Sequence, residues 1–334
     1  MGQVSRKLKK YILGIALGIA LMCGKESYAQ YNREYFFWVG RSCMMNNDYQ
    51  EAIRTLNTLL RFDEDAFEGY FLRGIAKYNL DDLLGAEADF STAIRLNPVY
   101  TQAYTYRAIT AITRSRLGNY DDALQDFREA IDLRPDLPGP YYSRGVTRLL
   151  NQQFKEAIDD FDKFIRQENK VADAFICRGL SYLHLKDTVR AYENFNTAIR
   201  TNREDPNGYR RGGLYMEQKR FAEAEADFNK AIECDSAYLL SYFNRALVYS
   251  DTNRPMLALA DFDKVIQLDS TNSLTYFNRA MLRTQIGDYN RALDDYDKVA
   301  LYSPNNVLVY YNRAGVYAQL GELEKAIDDY SSAI

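Results

Sequence analysis

Residues 276–299 read YFNRAMLRTQIGDYNRALDDYDKV, and Pro304 follows shortly after them. Apolar side chains recur in this stretch with the 3.6-residue period of a helix, in two runs: Tyr276, Phe277, Ala280 and Met281, then Ala292, Leu293, Tyr296 and Val299. Gly287-Asp288 separates the runs, and Ser303-Pro304 ends the second because proline cannot continue a helix. The stretch therefore predicts two helices joined by a turn. One such hairpin cannot bury both of its faces, so it needs copies of itself.

The rest of the chain supplies those copies. Arg279-Ala280 is followed twelve residues later by Ala292. The same pairing of a small residue with an alanine twelve residues later occurs elsewhere, with three extra residues in the pair Ala108 and Ala123. The pairs are Gly40 with Ala52, Gly74 with Ala86, Ala108 with Ala123, Gly145 with Ala157, Gly179 with Ala191, Gly212 with Ala224, Ala246 with Ala258 and Ala314 with Ala326. Six of the eight steps between these anchors are 34 residues, and the other two are 37 and 33.

This pattern resembles the tetratricopeptide repeat, a helix-turn-helix unit of 34 residues with small anchor residues and a proline at its end. The resemblance implies an all-α fold, a right-handed superhelical solenoid built by stacking the repeats. It covers residues 33–334 as nine repeats, which are about 33–66, 67–100, 101–137, 138–171, 172–204, 205–238, 239–272, 273–306 and, incomplete, 307–334.

The first 29 residues have the composition of a secretory signal peptide. A basic start is followed by the apolar run Tyr11 to Met22, and Ser27-Tyr28-Ala29 offers a cleavage site before Gln30. We therefore expect an exported chain in the periplasm or cell envelope, including association with the outer membrane. A lipid anchor at Cys23 and a retained membrane anchor are the two alternatives.

The charge of the chain argues against nucleic acid as a partner. The formal net charge is −4, and removing residues 1–29, with five Lys/Arg and one Glu, leaves 37 Lys/Arg against 45 Asp/Glu, or −8. The only histidine is His184, and the sequence has no nucleophile elbow, phosphate loop or spaced metal ligands. We expect neither catalysis nor a cofactor nor a bound metal.

An arginine precedes the small anchor in eight repeats, and a carboxylate or amide stands in the second helix of each. The arginines are Arg73, Arg107, Arg144, Arg178, Arg211, Arg245, Arg279 and Arg313, and their counterparts are Asp89, Asp126, Asp160, Asn194, Asp227, Asp261, Asp295 and Asp329. In repeat 1 both are missing together, since Val39 and Thr55 replace them. This favours structural pairing within each repeat; an anion-binding ladder is the alternative.

Two positions earlier, most repeats carry an aromatic residue. The resemblance implies that this position faces the concave groove in which such arrays bind partner segments. The predicted groove residues are Phe71, Tyr142, Tyr209, Phe243, Phe277 and Tyr311, joined by a row of amides at Asn244, Asn278 and Asn312. Aliphatic residues such as Leu247 and Met281 follow one turn later. Interior packing of the rings and simple solvation of the amides remain open as alternatives.

Three places depart from the repeat pattern and need separate interpretation. Trp38, in the atypical first repeat, is interpreted as packing in the first helix, with a contact role as the alternative. Repeat 3 has three extra residues between Ala108 and Gly118, in or near a loop. Residues 202–213 are one residue short, with Gly208 in place of an aromatic residue, which predicts looser packing and a soft joint between repeats 5 and 6.

These observations predict a non-catalytic scaffold or adaptor that binds a protein or peptide partner in its groove. The alternative is a regulatory or sensor region of a larger protein whose catalytic domain lies beyond residue 334. The sequence stops inside the second helix of repeat 9 without a polar closing helix. Self-association through that end is therefore a further expectation.

Overall fold

The computed structural model describes residues 25–114 and 120–334, with side chains from residue 33 onward. The predicted signal sequence, with Cys23, lies outside the described residues except for its last few positions. All regular structure in the described part is helical, which confirms the all-α fold class. The helices are α1 (Lys25–Met45), α2 (Tyr49–Phe62), α3 (Phe67–Asn79), α4 (Leu83–Leu96), α5 (Thr101–Arg114), α6 (Asp121–Leu133), α7 (Pro138–Leu150), α8 (Phe154–Gln167), α9 (Ala172–His184), α10 (Thr188–Thr201), a 3-10 helix (Pro206–Arg210), α11 (Arg211–Glu217), α12 (Phe221–Cys234), α13 (Leu239–Asp251), α14 (Pro255–Leu268), α15 (Ser273–Gln285), α16 (Tyr289–Tyr302), α17 (Val307–Gln319) and α18 (Leu323–Ser332).

The chain divides into two compact units. The first ends at Glu168 and contains α1–α8, and the second begins at Asn169 and contains α9–α18. In both units the helices pack as pairs, and each pair corresponds to one repeat of the sequence. None of the described helices is both long enough and apolar enough to span a bilayer.

The turn between the two helices of a repeat has a left-handed residue at the same place in eight repeats. These residues are Asn47, Asp81, Gln152, Lys186, Lys219, Asn253, Gly287 and Gly321, with φ between 56° and 82°. A left-handed residue cannot continue a right-handed helix, so it ends the first helix of the repeat. In several repeats the next residue then caps the second helix, as Asp82 does by accepting a hydrogen bond from the Gly85 N–H at 3.0 Å.

The anchor position requires a small residue because an aromatic ring from the second helix packs against it. A Cβ added to Gly74 would lie 2.6 Å from Cε1 of Phe90, and one added to Gly212 would lie 2.7 Å from Cε1 of Phe228. The rings at this position are fully buried in seven consecutive repeats: Phe90, Phe127, Phe161, Phe195, Phe228, Phe262 and Tyr296. The core is therefore a row of equivalent aromatic side chains, each packed under the first helix of its own repeat.

Repeat 6 is one residue shorter than most repeats, and its first helix begins as a 3-10 helix. Tyr209 donates a hydrogen bond to the carbonyl of Arg203, six residues earlier, as Tyr242 does to the carbonyl of Ser236 in repeat 7. Tyr209 thus corresponds to Tyr242, and the residue that is missing is the counterpart of Phe243. At Gly208 the expectation of loose packing is wrong, because this residue is buried and a Cβ there would lie 3.0 Å from Ile199. A soft joint stays a prediction.

Two other irregular places can be compared with the sequence analysis. Trp38 is 68% exposed, so the interpretation of this side chain as interior packing is wrong. Most of the predicted insertion in repeat 3 lies at residues 115–119, outside the described residues. Just before it, Arg114 reaches back to Glu87 in repeat 2, with Nη2 3.1 Å from the carboxylate.

Candidate protein-binding surface

The arginine before the anchor binds the carboxylate of its own repeat through two parallel hydrogen bonds. The pairs are Arg73–Asp89, Arg107–Asp126, Arg144–Asp160, Arg211–Asp227, Arg245–Asp261, Arg279–Asp295 and Arg313–Asp329, with Nε and Nη2 donating over 2.5–2.9 Å. In repeat 5 the amide of Asn194 accepts from Arg178 Nε at 2.9 Å. These guanidinium groups are thus occupied by the protein itself, as the structural interpretation requires.

The remaining nitrogen of most of these arginines binds the repeat before. Nη1 of Arg73 donates to Asn57 at 2.7 Å, and Nη1 of Arg245 donates to Asn229 at 2.6 Å. Equivalent acceptors are Ser91 for Arg107, Asn196 for Arg211, Asp263 for Arg279 and Asp297 for Arg313. Sequence analysis missed this second bond, although the acceptors recur sixteen residues before the arginine in five of these six cases. Each such arginine therefore ties two repeats together.

A tyrosine three residues before the arginine completes the arrangement in most repeats. The guanidinium of Arg279 lies over the ring of Tyr276 at 5.5 Å, and the hydroxyl of Tyr276 donates to the carbonyl of Ser270 at 3.3 Å. Burial of the ring raises the pKa of Tyr276. The hydrogen bonds that Arg107 donates to Asp126, together with the charge of that carboxylate, raise the pKa of Arg107.

The predicted groove residues divide into buried and half-exposed groups. Phe71 and Tyr209 are only 8% exposed and belong to the interior, which corrects their assignment as contact residues. Tyr142, Phe243 and Phe277 are half-buried, each packed on the aromatic ring of its own second helix. Tyr311 packs on Tyr330 and is 60% exposed. The aromatic row therefore serves packing first.

The amide row uses part of its hydrogen-bonding capacity on its own helices. Nδ2 of Asn278 donates to the carbonyl of Leu274 at 2.8 Å, and Nδ2 of Asn312 donates to the carbonyl of Leu308 at 2.7 Å. An amide has two N–H groups and an acceptor oxygen, so one N–H and Oδ1 remain on each side chain. These bonds fix the orientation of the two amides.

Exposed leucines stand one turn before the asparagines, and sequence analysis missed them. Leu274 is 58% exposed and Leu308 is 60% exposed. The signal was available, because Leu240, Leu274 and Leu308 occur at 34-residue steps. Residues four apart share one side of a helix, and α15 and α17 contact each other. We call the side formed by Leu274, Asn278, Met281, Leu308, Tyr311 and Asn312 the leucine–asparagine surface.

The described residues contain no group of three or more histidine, cysteine, aspartate or glutamate side chains that could hold a metal ion. His184 ends α9.

Comparison with known proteins identifies the type of repeat. Models described as tetratricopeptide repeat match residues 209–238, 239–272 and 277–334, and one described as TPR repeat matches residues 116–152. Among solved structures, a tetratricopeptide repeat protein from Parabacteroides merdae aligns with a TM-score of 0.59 at 19% identity, over 78% of this chain and 98% of that one. The paired helices and these matches show that the chain is built of tetratricopeptide repeats.

Curated relatives share only part of their length with this chain. Human tetratricopeptide repeat protein 13 is 29% identical over 157 residues, which cover 46% of this chain and 18% of that protein. The rat mitochondrial import receptor subunit TOM70 is 28% identical over 220 residues, 62% of this chain and 36% of the receptor. The chain thus spans well under half of either relative.

Proposed function

We propose that this protein binds a segment of another protein on the leucine–asparagine surface. The observation that carries the proposal is the pair of exposed leucines, Leu274 and Leu308, in the same place on two helices that contact each other. Clustered exposed apolar side chains on a soluble protein mark an interaction site. The repeat family and its similarity to an import receptor support a role in protein–protein interaction.

The chemistry of the surface suits a segment with apolar side chains and free backbone groups. Leu274, Leu308 and Tyr311 offer apolar area, and Oδ1 of Asn278 and of Asn312 can accept hydrogen bonds from a backbone N–H. Burying a leucine contributes about 1.5–3 kcal/mol, and the amides fix the position of the segment. A scaffold or adaptor works in this way without any reaction of its own.

Introducing charge on this surface is expected to abolish binding. The full protein is used to select short peptides from a random displayed library, and affinities are then measured for the variant Leu274→Asp/Leu308→Asp. We expect binding at least about tenfold weaker, because each aspartate would have to be desolvated against an apolar partner. The matched control is Leu301→Asp, since Leu301 is equally exposed but lies on α16. Equal binding by both variants, or no selected peptide, would count against the proposal.

We propose in addition that the chain is exported and acts in the cell envelope. The support is the basic and apolar start of the sequence and the small residues before Gln30. Amino-terminal sequencing of the protein from the periplasmic fraction of a bacterial host is expected to begin at Gln30. Recovery in the cytoplasm with residues 1–29 intact would contradict this.

A further inference from the structure

Two tyrosines contact each other where repeat 5 meets repeat 6. Tyr192 lies on α10, the second helix of repeat 5, and Tyr215 lies on α11, in the first half of repeat 6. Their hydroxyl oxygens are 3.2 Å apart and share a hydrogen bond. The ring centroids are 5.8 Å apart, and the ring planes meet at 71°. The two phenols are thus held side by side with their polar ends together.

This pair is a departure from the repeat pattern. Tyr192 follows the alanine of the second helix directly, and Tyr215 stands three residues after the small anchor. No other junction of the nine repeats has tyrosine at both of these positions. At the next junction they are Glu225 and Tyr249, and Glu225 accepts a hydrogen bond from Arg254 at 2.8 Å. Packing of the repeats therefore does not require two phenols here.

Two arginines and an apolar cluster hold the pair in place. The guanidinium of Arg220 lies over the ring of Tyr215 at 4.4 Å. The guanidinium of Arg211 lies 5.8 Å from the ring centroid of Tyr192 and 5.4 Å from that of Tyr215. Asp227 fixes Arg211 through hydrogen bonds of 2.8 and 2.6 Å. Tyr215 is buried, and the half-buried Tyr192 packs against the cluster that contains it.

The surroundings make Tyr192 the more acidic of the two phenols. Hydrogen bonds with Tyr215 and Asn196 lower the pKa of Tyr192, and the charges of Arg211 and Arg220 act in the same direction. Burial raises the pKa of Tyr215, and the hydrogen bond with Tyr192 adds to this effect. A phenol gives up an electron more easily as its hydroxyl proton is lost. Tyr192 is therefore the more easily oxidised member of the pair.

We propose that Tyr192 and Tyr215 form an oxidative cross-linking site, at which a one-electron oxidant joins the two rings through a carbon–carbon bond. The oxidant takes one electron from each phenol, and each hydroxyl proton passes to water. The two radicals couple between the ring carbons next to the hydroxyls, and the hydrogen on each of these carbons moves to its own oxygen. The dityrosine product has lost two electrons and two protons, and two equivalents of oxidant have each gained one electron.

The geometry of the pair is close to that of the product. In dityrosine the hydroxyls stand on the carbons adjacent to the new bond, so they lie side by side on rings that are twisted relative to each other. The hydroxyl separation of 3.2 Å and the angle of 71° provide this arrangement. Tyr311 and Tyr330 have centroids 5.6 Å apart, but no described hydrogen bond joins their hydroxyls. Coupling of Tyr192 to Tyr215 would tie α10 to α11 covalently.

The test oxidises the full protein, at high dilution, with tris(bipyridine)ruthenium(III) generated by light. We expect the monomer to gain dityrosine fluorescence. Mass spectrometry of its digest should show two peptides joined through Tyr192 and Tyr215, lighter by two hydrogens than the two together. Tyr192→Phe and Tyr215→Phe should each abolish this product, and circular dichroism checks that both variants are folded. Tyr311→Phe is the matched control and should leave the yield unchanged.

The same experiment can overturn the inference. Oxidation of other tyrosines while Tyr192 and Tyr215 stay unlinked would refute it, as would equal coupling of Tyr311 to Tyr330. Protein unfolded in urea before oxidation should lose the specific product, and equal yield from folded and unfolded protein would also contradict the geometric argument. The inference does not rest on the proposed function, because neither tyrosine of the pair belongs to the leucine–asparagine surface.

Discussion

Replacing Asp160 by alanine is expected to lower the free energy of unfolding of α7 and α8 by about 3–5 kcal/mol. The carboxylate of Asp160 has no exposed surface and accepts hydrogen bonds from two arginines. Arg144 donates Nε and Nη2 at 2.9 and 2.7 Å, and Arg148 donates Nη1 at 2.6 Å. Removing the carboxylate leaves the buried guanidinium of Arg144 without its counter-charge, and that desolvation penalty dominates.

The chain itself supplies the conservative variant and the control. Asp160→Asn should cost less than Asp160→Ala, because Asn194 already fills this position against Arg178 in repeat 5. Asp159→Ala removes an equal charge from an exposed neighbour and should change stability by less than about 0.5 kcal/mol. Urea unfolding followed by helical circular dichroism measures all three. Equal losses for Asp159→Ala and Asp160→Ala would contradict the burial argument.

Replacing Phe262 by alanine is expected to destabilise repeat 7 by about 3–5 kcal/mol. Its ring is 1% exposed and packs with Phe243 at a centroid distance of 6.0 Å and against Ala246. The change leaves a cavity between α13 and α14 that rigid neighbouring helices cannot close. Thermal unfolding and hydrogen exchange of amides in these two helices measure the loss.

A tyrosine at the same position is the control for this prediction. Tyr296 fills the equivalent site in repeat 8, where its hydroxyl is hydrogen-bonded to Thr284 and burial raises its pKa. Repeat 7 has Ser250 in the place of Thr284, so Phe262→Tyr gains a hydroxyl partner and should cost less than about 1.5 kcal/mol. A loss as large for tyrosine as for alanine would show that ring burial is not the cause.

The predictions from the sequence were correct for features that all repeats share. They were wrong where a single repeat differs from the others. The paired helices followed from the period of residues 276–299, and the arginine–carboxylate pairs followed from the joint absence of both partners in repeat 1. Tyr209 was misplaced because the missing residue falls after it, which only the hydrogen bond to the Arg203 carbonyl reveals. Phe71 was misjudged because its burial depends on Tyr100, at the end of its own repeat, and on Tyr106 of the next repeat, which both pack against it.

Exposure was the property that the pattern described least well. A helical period states which residues share a side, but the degree to which neighbours cover that side depends on packing in three dimensions. Trp38 was expected inside and is outside, whereas Leu274 and Leu308 were not noticed and are both exposed.

The arginine that binds both its own repeat and the preceding one has a consequence for how such a chain changes length in evolution. Arg279 finds Asp263 in repeat 7, and if that repeat were deleted whole, Asn229 of repeat 6 would stand in the same place as an acceptor. Duplication or loss of a single repeat therefore still places an acceptor opposite the arginine of the following repeat. Repeat 4 is different, because Arg128 occupies the place of the acceptor before Arg144. Unequal recombination should accordingly be tolerated better among repeats 6 to 9 than at the start of repeat 4.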